Sequence, residues 1–348
     1  MSQQPPVLVV GPGALGTFLA ARLAANGRPV AVACRTSRTA DEIAARGLIA
    51  EDHRGRRVVA EVPAVVAPEE LQQEPGVVVL ATKCGDAAQA LATWLPHVPD
   101  DAVVVGMQNG LMAETLAPMA PGRYIDTVVH FPAQLEAPGH SLQTGPGGFT
   151  VGVWPDPQVG PGTEDQARAV VATLRDAAPT DATDNIRGAK WTKLVVNSCI
   201  TSLGVVTGRP LGALLKDRRA RAAFIGIATE GHRVGIAEGV RFAPVQGFVP
   251  QRFSLADRDG GLRRAYLHQL LRIVGARYRR HRSSSLQSLA RGHRTEVDFL
   301  NGVIVRHGRA HSIETPVDRV VVDIVHDIER GHAESDMGHL DRLAVRAP

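Results

Sequence analysis

The chain has 348 residues, 44% hydrophobic and 4% aromatic, with a formal charge of +4 and a pI near 9.2. This length suffices for a full core and predicts two domains, and the mixture of apolar and charged residues excludes a fibrous or largely disordered chain. Cys34, Cys84 and Cys199 stand far apart without a CxxC pair, which excludes a disulfide framework or a zinc site and suits a reducing compartment.

The polar start Met1–Pro6 carries no signal-peptide pattern and no apolar stretch elsewhere is long enough to span a bilayer, so a cytoplasmic protein is expected. Arginines and acidic residues alternate over most of the chain, which reads as a solvated surface and not as a nucleic-acid footprint. Of the 39 basic residues only Lys83, Lys190, Lys193 and Lys216 are lysines. Arginine does not titrate in proteins, so lysine retained in an arginine-using chain marks candidates for proton transfer.

The first element is an apolar strand, Val7–Val10, running into Gly11-Pro-Gly-Ala-Leu-Gly16 and then a helical Ala/Leu pattern to Ala25. This is the strand-turn-helix of a dinucleotide site: the first glycine permits the tight turn, the second admits the pyrophosphate, and the third lets helix and strand pack closely. The helix N-terminus offers its free N–H groups to the phosphates. A second strand, Pro29–Cys34, ends at Arg35-Thr-Ser-Arg38, where NAD-specific sites carry an acid for the ribose 2′-hydroxyl. A basic residue there favours a 2′-phosphate and hence NADP; the competing reading is a basic loop facing water.

Residues 41–75 pair a short helix, Ala40–Arg46, with β-like segments around Arg57–Val66. Two further buried strands, Gly76–Thr82 and Ala102–Gly106, end at Lys83 and at Met107-Gln-Asn-Gly110. Residues at the carboxyl ends of parallel strands face the cofactor crevice, which places Lys83 and Asn109 against ligand, although Asn-Gly also serves as a plain turn. Strand-like segments follow at Asp126–Val129, Ser141–Gln143 and Phe149–Val153, then a helix Glu164–Ala177 and a short strand Thr180–Asp184.

Beyond Asn185-Ile-Arg-Gly188 strand signals nearly cease, giving the expected domains: 1–185 for the cofactor, 186–330 helical, and 331–348 a loose polar tail. The expected helices are Ala189–Val206, Leu211–Gly239, Leu262–Tyr278, Leu286–His307 and Val317–Arg330. A helical half beside a Rossmann half leaves a cleft suited to substrate. On its first helix Lys193, Asn197 and Thr201 recur every fourth residue as one polar stripe, which would supply a proton donor and hydrogen-bond donors for a carbonyl. A face satisfied by water is the competing reading, and Lys190 the competing lysine. Ser284-x-x-Gln287 fits a capping box, and Glu296 lies on the same expected helix, where plain surface charge is the alternative. The Arg263–Arg282 segment reads either as a solvated face or as a seat for an acidic substrate or partner. None of Tyr124, Tyr266 and Tyr278 has a lysine four residues on, and His307 and His311 lack an HExxH glutamate, so neither short-chain dehydrogenase chemistry nor a metal site is expected.

In this order the motifs resemble the ketopantoate reductase family from Val7 to about Arg330. The matching residues are Gly11–Gly16, Arg35, Lys83, Gln108–Gly110, Trp191–Asn197, Ser283-Ser284 with Gln287, and His293–Asp298 before Asn301-Gly302. The resemblance implies a doubly wound α/β domain followed by an all-α domain like the C-terminal one of 6-phosphogluconate dehydrogenase. It implies reduction of a 2-keto acid by NADPH. Lys193 is then the proton donor; Asn109, Asn197, Thr201, Ser284 and Gln287 face substrate; Gly11, Pro12, Gly13, Ala14, Leu15, Gly16, Arg35, Lys83, Asn109, Ala133 and Glu296 face cofactor. Ketopantoate, on the pantothenate route, is the expected substrate, with no metal, nucleic acid or membrane partner and room for a homodimer. Two departures stand out: Thr201 and Leu211 occupy positions where the family has asparagine. They leave open a different 2-keto acid or a specialised ketone, and a non-catalytic NADP sensor is the alternative of another class.

Overall fold

The computed structural model describes residues 4–155, 160–256, 258–277, 285–286, 289, 292 and 294–347. They form two compact units, residues 1–186 and 187–348.

The first unit runs β1 (Val7–Val10), α1 (Ala14–Ala25), β2 (Val30–Ala33), α2 (Ser37–Arg46), β3 (Leu48–Glu51), β4 (Arg57–Ala60), β5 (Ala64–Val65), β6 (Val77–Leu80), α3 (Cys84–Trp94) and β7 (Val103–Gly106). It continues with α4 (Ala113–Leu116), β8 (Tyr124–Val129), β9 (Ala133–Ala137), β10 (His140–Gln143), β11 (Phe149–Val153), α5 (Glu164–Arg175) and β12 (Thr180–Ala182). The eight-stranded sheet has the order β12-β11-β8-β7-β6-β1-β2-β5. Strands β1, β6 and β7 are buried along their whole length, as strands covered on both faces must be. All neighbours are parallel except β8 and β11. Val10 aligns with Ala33 and with Leu80, and Leu80 with Gly106, so β1, β2, β6 and β7 end on one edge. The chain departs in opposite directions from β1, and the crevice at that reversal is where such sheets bind nucleotides.

The strand β3 falls where no strand is expected from sequence, and it joins β4, β9 and β10 in a separate four-stranded sheet. Its pattern is only four residues long, and its partner β10 lies about 90 positions later in parallel register. No local signal announces such a pairing. The helix α1 packs against both sheets, which explains why it is buried over most of its circumference. The helix α2 begins earlier than expected because Thr36 caps it, its Oγ1 accepting from the Thr39 N–H at 3.3 Å.

The second unit is helical: α6 (Ile186–Asn197), a π-turn at Ser198–Ser202, α7 (Leu203–Thr207), α8 (Leu211–Leu214), α9 (Arg218–Ala237), α10 (Gly261–Arg277), α11 (Asn301–Ala310), α12 (Pro316–Glu329) and α13 (His339–Ala344). Several expectations change here. The stretch from Leu211 divides into α8 and α9 because Asp217 restarts the helix, its carboxylate accepting from the Arg219 N–H at 2.7 Å. Glu296 does not lie in a helix reaching back toward Gln287: it precedes a 3₁₀ turn, Val297–Phe299, and Leu300 at φ −115°, ψ −96° separates that turn from α11. The expected loose tail carries α13, with Leu340 and Leu343 buried against α9. Burying each of these leucines contributes about 1.5–3 kcal/mol toward ordering the six residues of α13.

Helix α12 starts on a buried carboxylate. Glu230 of α9 accepts from the backbone N–H groups of Val317 and Asp318, both at 2.8 Å, satisfying two donors a helix start leaves free. Asp318 is itself buried, and burial followed by the adjacent Glu230 carboxylate holds its carboxyl well above the ordinary carboxylate range. A carboxyl raised on folding stabilises fully below its unfolded pKa, near 3.8, and loses that contribution as pH rises through the folded value. Asp318→Asn should therefore match the parent in acid and melt higher at neutral pH; a gain of ~1 kcal/mol would read as about 2–4 °C in thermal denaturation across pH. Equal melting differences at all pH values would contradict this assignment.

Candidate active site

In the first unit the glycine motif forms the turn from β1 into α1. Gly11 has φ +93°, and a side chain there would also meet Thr82 at 2.8 Å. A Cβ on Gly16 would lie 2.2 Å from the Gly11 carbonyl oxygen, so only glycine lets the helix close onto the strand. At Gly13 a Cβ would project into open space. That glycine is the N-cap of α1, and having no side chain it leaves the first N–H groups to a ligand. Pro12, Ala14 and Leu15 complete the turn, which is braced by two hydroxyls: Thr17 Oγ1 donates to the Pro12 carbonyl at 2.9 Å, and Ser141 Oγ to that of Ala14 at 2.6 Å. Sequence reading missed Ser141, which arrives from β10 some 127 positions away.

The other predicted residues of this unit follow the same strand ends. Arg35, just beyond β2, has a side chain 84% exposed and a loose ion pair with Asp86 at 3.9 Å. Lys83 is exposed at the N-cap of α3. Asn109 is half-buried beyond β7, and its carbonyl accepts from the Cys84 thiol at 3.4 Å. The buried Gln108 amide donates to the carbonyls of Leu80, at 2.8 Å, and Thr82, at 3.2 Å, tying the ends of β6 and β7 together. Ala133 stands elsewhere, opening β9 in the smaller sheet. A dinucleotide fits the edge around Gly13: the open side of the glycine provides room for phosphate, and the buried Thr82 Oγ1 has no hydrogen-bond partner among the described residues.

In the second unit Lys193 and Asn197 lie one turn apart on α6, both half-buried, whereas Lys190 is 2% exposed. Thr201, the third residue of the expected stripe, lies in the π-turn. A π-turn bonds i to i+5, so Thr201 does not follow Asn197 at α-helical spacing, and it is 8% exposed. Leu211 is 4% exposed at the start of α8. Glu296 is half-buried before the 3₁₀ turn. Ser284 and Gln287 lie outside the described residues. Among the described residues no three His, Cys, Asp or Glu side chains cluster as a metal site would require, and no helix is long and apolar enough to cross a membrane.

Comparison with known proteins covers nearly the whole chain. Residues 7–156 match the family model described as Ketopantoate reductase PanE/ApbA, and residues 185–329 match the one for its C-terminal part. A 2-dehydropantoate 2-reductase of Halobacterium salinarum is 31% identical, covering 93% of this chain and 99% of that protein. One from Pyrococcus horikoshii is 26% identical, covering 90% and 93%. The crystal structure of a PanE/ApbA family ketopantoate reductase from Ralstonia eutropha superposes with a TM-score of 0.77 at 28% identity, covering 94% and 99%. D-mandelate dehydrogenase, in a ternary structure with NADH and anilino(oxo)acetate, shares the fold with a TM-score of 0.76 at 20% identity and the same coverage. The glycine turn on a doubly wound sheet, the lysine-bearing helix of the second unit and these matches together show that the chain belongs to the ketopantoate reductase family of oxidoreductases.

Proposed function

We propose that the protein reduces a 2-keto acid to the 2-hydroxy acid with NADPH, and that ketopantoate, on the pantothenate route, is its substrate. The observation that carries this reading is the contrast between the two lysines of α6 in a member of this family: Lys190 is enclosed, while Lys193 is half-exposed one turn from Asn197. When bound, the nicotinamide supplies hydride to the carbonyl carbon. The Lys193 Nζ holds a proton for the carbonyl oxygen as negative charge develops there, a task a guanidinium cannot perform. The amides of Asn197 and Asn109 donate hydrogen bonds that orient the keto acid, with Ser284 and Gln287 assigned to the substrate and Glu296 and Ala133 to the cofactor through the family resemblance. The relatives named 2-dehydropantoate 2-reductase support the substrate.

Preference for the 2′-phosphate rests on Arg35. Its ion pair with Asp86 is long and solvated, so a phosphate forming charge-assisted bonds would displace it readily. The N–H groups of α1 around Gly13, with Lys83 nearby in the chain, would hold the pyrophosphate. We place the protein in the cytoplasm, with the keto acid and at most a second copy of itself as partners.

A second reading concerns the substrate alone. Neither Thr201, in the π-turn, nor the buried Leu211 offers the amide that the family carries at these positions. A site with fewer donors favours a less polar ketone or a different 2-keto acid.

Loss of NADPH absorbance with ketopantoate, run beside NADH and a panel of 2-keto acids, tests both readings. Fast NADPH-selective turnover of ketopantoate supports the first, turnover of another ketone alone supports the second, and cofactor binding without any turnover indicates a sensor. Lys193→Ala should keep NADPH affinity and lower kcat about 10²-fold or more, and near-normal turnover would move the proton to another donor. Arg35→Asp should weaken NADPH by about 10- to 100-fold and NADH far less, as measured by fluorescence titration. Gly13→Ala should retain the melting temperature but bind cofactor poorly, whereas Gly16→Ala should lose stability outright; an unchanged Kd for Gly13→Ala would remove the pyrophosphate from this turn.

A further inference from the structure

We propose that Asn301 is a positioning residue for the reduction: it clamps both ends of the π-turn Ser198–Ser202 and so sets where Asn197 and Thr201 stand. The role in substrate binding rests on the reading above, while the clamp itself is read from side-chain geometry within the second unit.

A π-turn is rare because its wider ring displaces carbonyls and N–H groups from the partners an α-helix would give them, and it persists where neighbours hold it. Here the helix holding Lys193 and Asn197 passes directly into such a turn. Asn301, the first residue of α11, is 0% exposed and applies its amide to both ends. Its Nδ2 donates to the Ser198 carbonyl at 3.5 Å, and its Oδ1 accepts from the Ser202 hydroxyl. The remaining Nδ2 hydrogen donates to Asp318 Oδ1 at 2.7 Å. This pattern admits one orientation of the amide, since the reverse would set Oδ1 against the Ser198 carbonyl oxygen.

The clamp has a rigid anchor. Asp318 belongs to the first turn of α12, where Glu230 of α9 accepts from its N–H and from that of Val317. Three helices thus meet the π-turn through one amide. Inside the turn the Cys199 thiol donates to the Phe224 carbonyl of α9 at 3.6 Å, a weak bond that could not hold the turn alone. The Ser198 hydroxyl is buried without a partner among the described residues, so it adds no hydrogen bond that would hold the turn. Buried polar groups are worth most when satisfied, and Asn301 satisfies the Ser198 carbonyl, the Ser202 hydroxyl and one Asp318 oxygen at once.

Because Asn197 immediately precedes the turn and Thr201 lies in it, relaxation to regular α-helix would rotate one relative to the other by roughly 70°. Lys193 stands a turn upstream in regular helix and would be disturbed less. Loss of the clamp is therefore expected in KM for the keto acid before kcat, and not in cofactor affinity.

The test compares Asn301→Ala with Ser202→Ala, which removes one arm of the clamp, and with Leu340→Ala, a cavity in α13 that lowers stability away from the turn. Hydrogen exchange by mass spectrometry over residues 194–207, NADPH affinity and steady-state kinetics are measured on each full-length variant. The expected result for Asn301→Ala is exchange about 10-fold faster or more at 198–202, KM for the keto acid raised about 10-fold and an unchanged NADPH Kd, with smaller effects of the same kind in Ser202→Ala. Exchange and KM no different from those of Leu340→Ala at matched melting temperature would overturn the proposal. Should Asn301→Ala fail to fold, Ser202→Ala decides by the same criteria. If the parent enzyme reduces no keto acid, the reading of the reaction falls and with it the role in positioning substrate, whereas the exchange data separately decide whether Asn301 holds the turn.

Discussion

Between β1 and α1 two backbones nearly touch. At Gly16 the distance available to a Cβ from the Gly11 carbonyl oxygen is 2.2 Å, so α1 closes onto β1 with no side chain between them. That contact brings the positive end of α1 to the strand edge on which β2, β6 and β7 also finish. Arg35, Lys83 and Asn109 gain their relevance from this alignment, because each follows a strand whose last residue is in register with its neighbour. The brace from Ser141 shows that the smaller sheet supports the same turn from its other side.

The second unit solves a different problem. Its lysine-bearing helix carries Lys193 and Asn197 and runs directly into a π-turn that meets helices distant in sequence. Glu230, Asp318 and Asn301 link α9, α12 and α11: Glu230 accepts from two backbone N–H groups, and Asn301 joins Asp318 to both ends of the π-turn. Burying carboxyls in this way is costly, and here the cost falls on Asp318, which burial and Glu230 drive toward its neutral form. A neutral carboxyl between an amide and a carboxylate is compatible with a dry interior where two charges would not be.

The two halves of the candidate machinery differ in how far they follow the family. The glycine turn, Arg35, Lys83, Asn109, Lys193 and Asn197 retain the residue types the family motifs require. Thr201 and Leu211 do not, and both are buried. Under the proposed function, variation confined to these two positions would change selectivity without changing the transfer of hydride and proton, since discrimination among keto acids depends on which buried donors are satisfied.

Much of the first unit was legible in the residues because its signals are local. An apolar run, three spaced glycines and an Ala/Leu helix each specify their geometry within a few residues, and a charge at a strand end inherits its position from the strand. The failures have the opposite character. Strand β3 is defined by a partner about 90 positions away, Ser141 braces a turn about 127 positions away, and α13 is helical because Leu340 and Leu343 find α9. The break at Leu300 and the restart at Asp217 interrupt patterns that read as continuous helices. By itself the sequence determined the fold class and the dinucleotide turn, and it put two candidate lysines and Asn197 on one helix, all consequences of spacing and of steric rules acting on neighbouring residues. Only the tertiary structure decided that Lys190 is enclosed while Lys193 is not, and that Thr201 falls in a π-turn. Burial and a π-turn clamped by Asn301 are set by packing between distant segments, which periodicity along the chain does not encode.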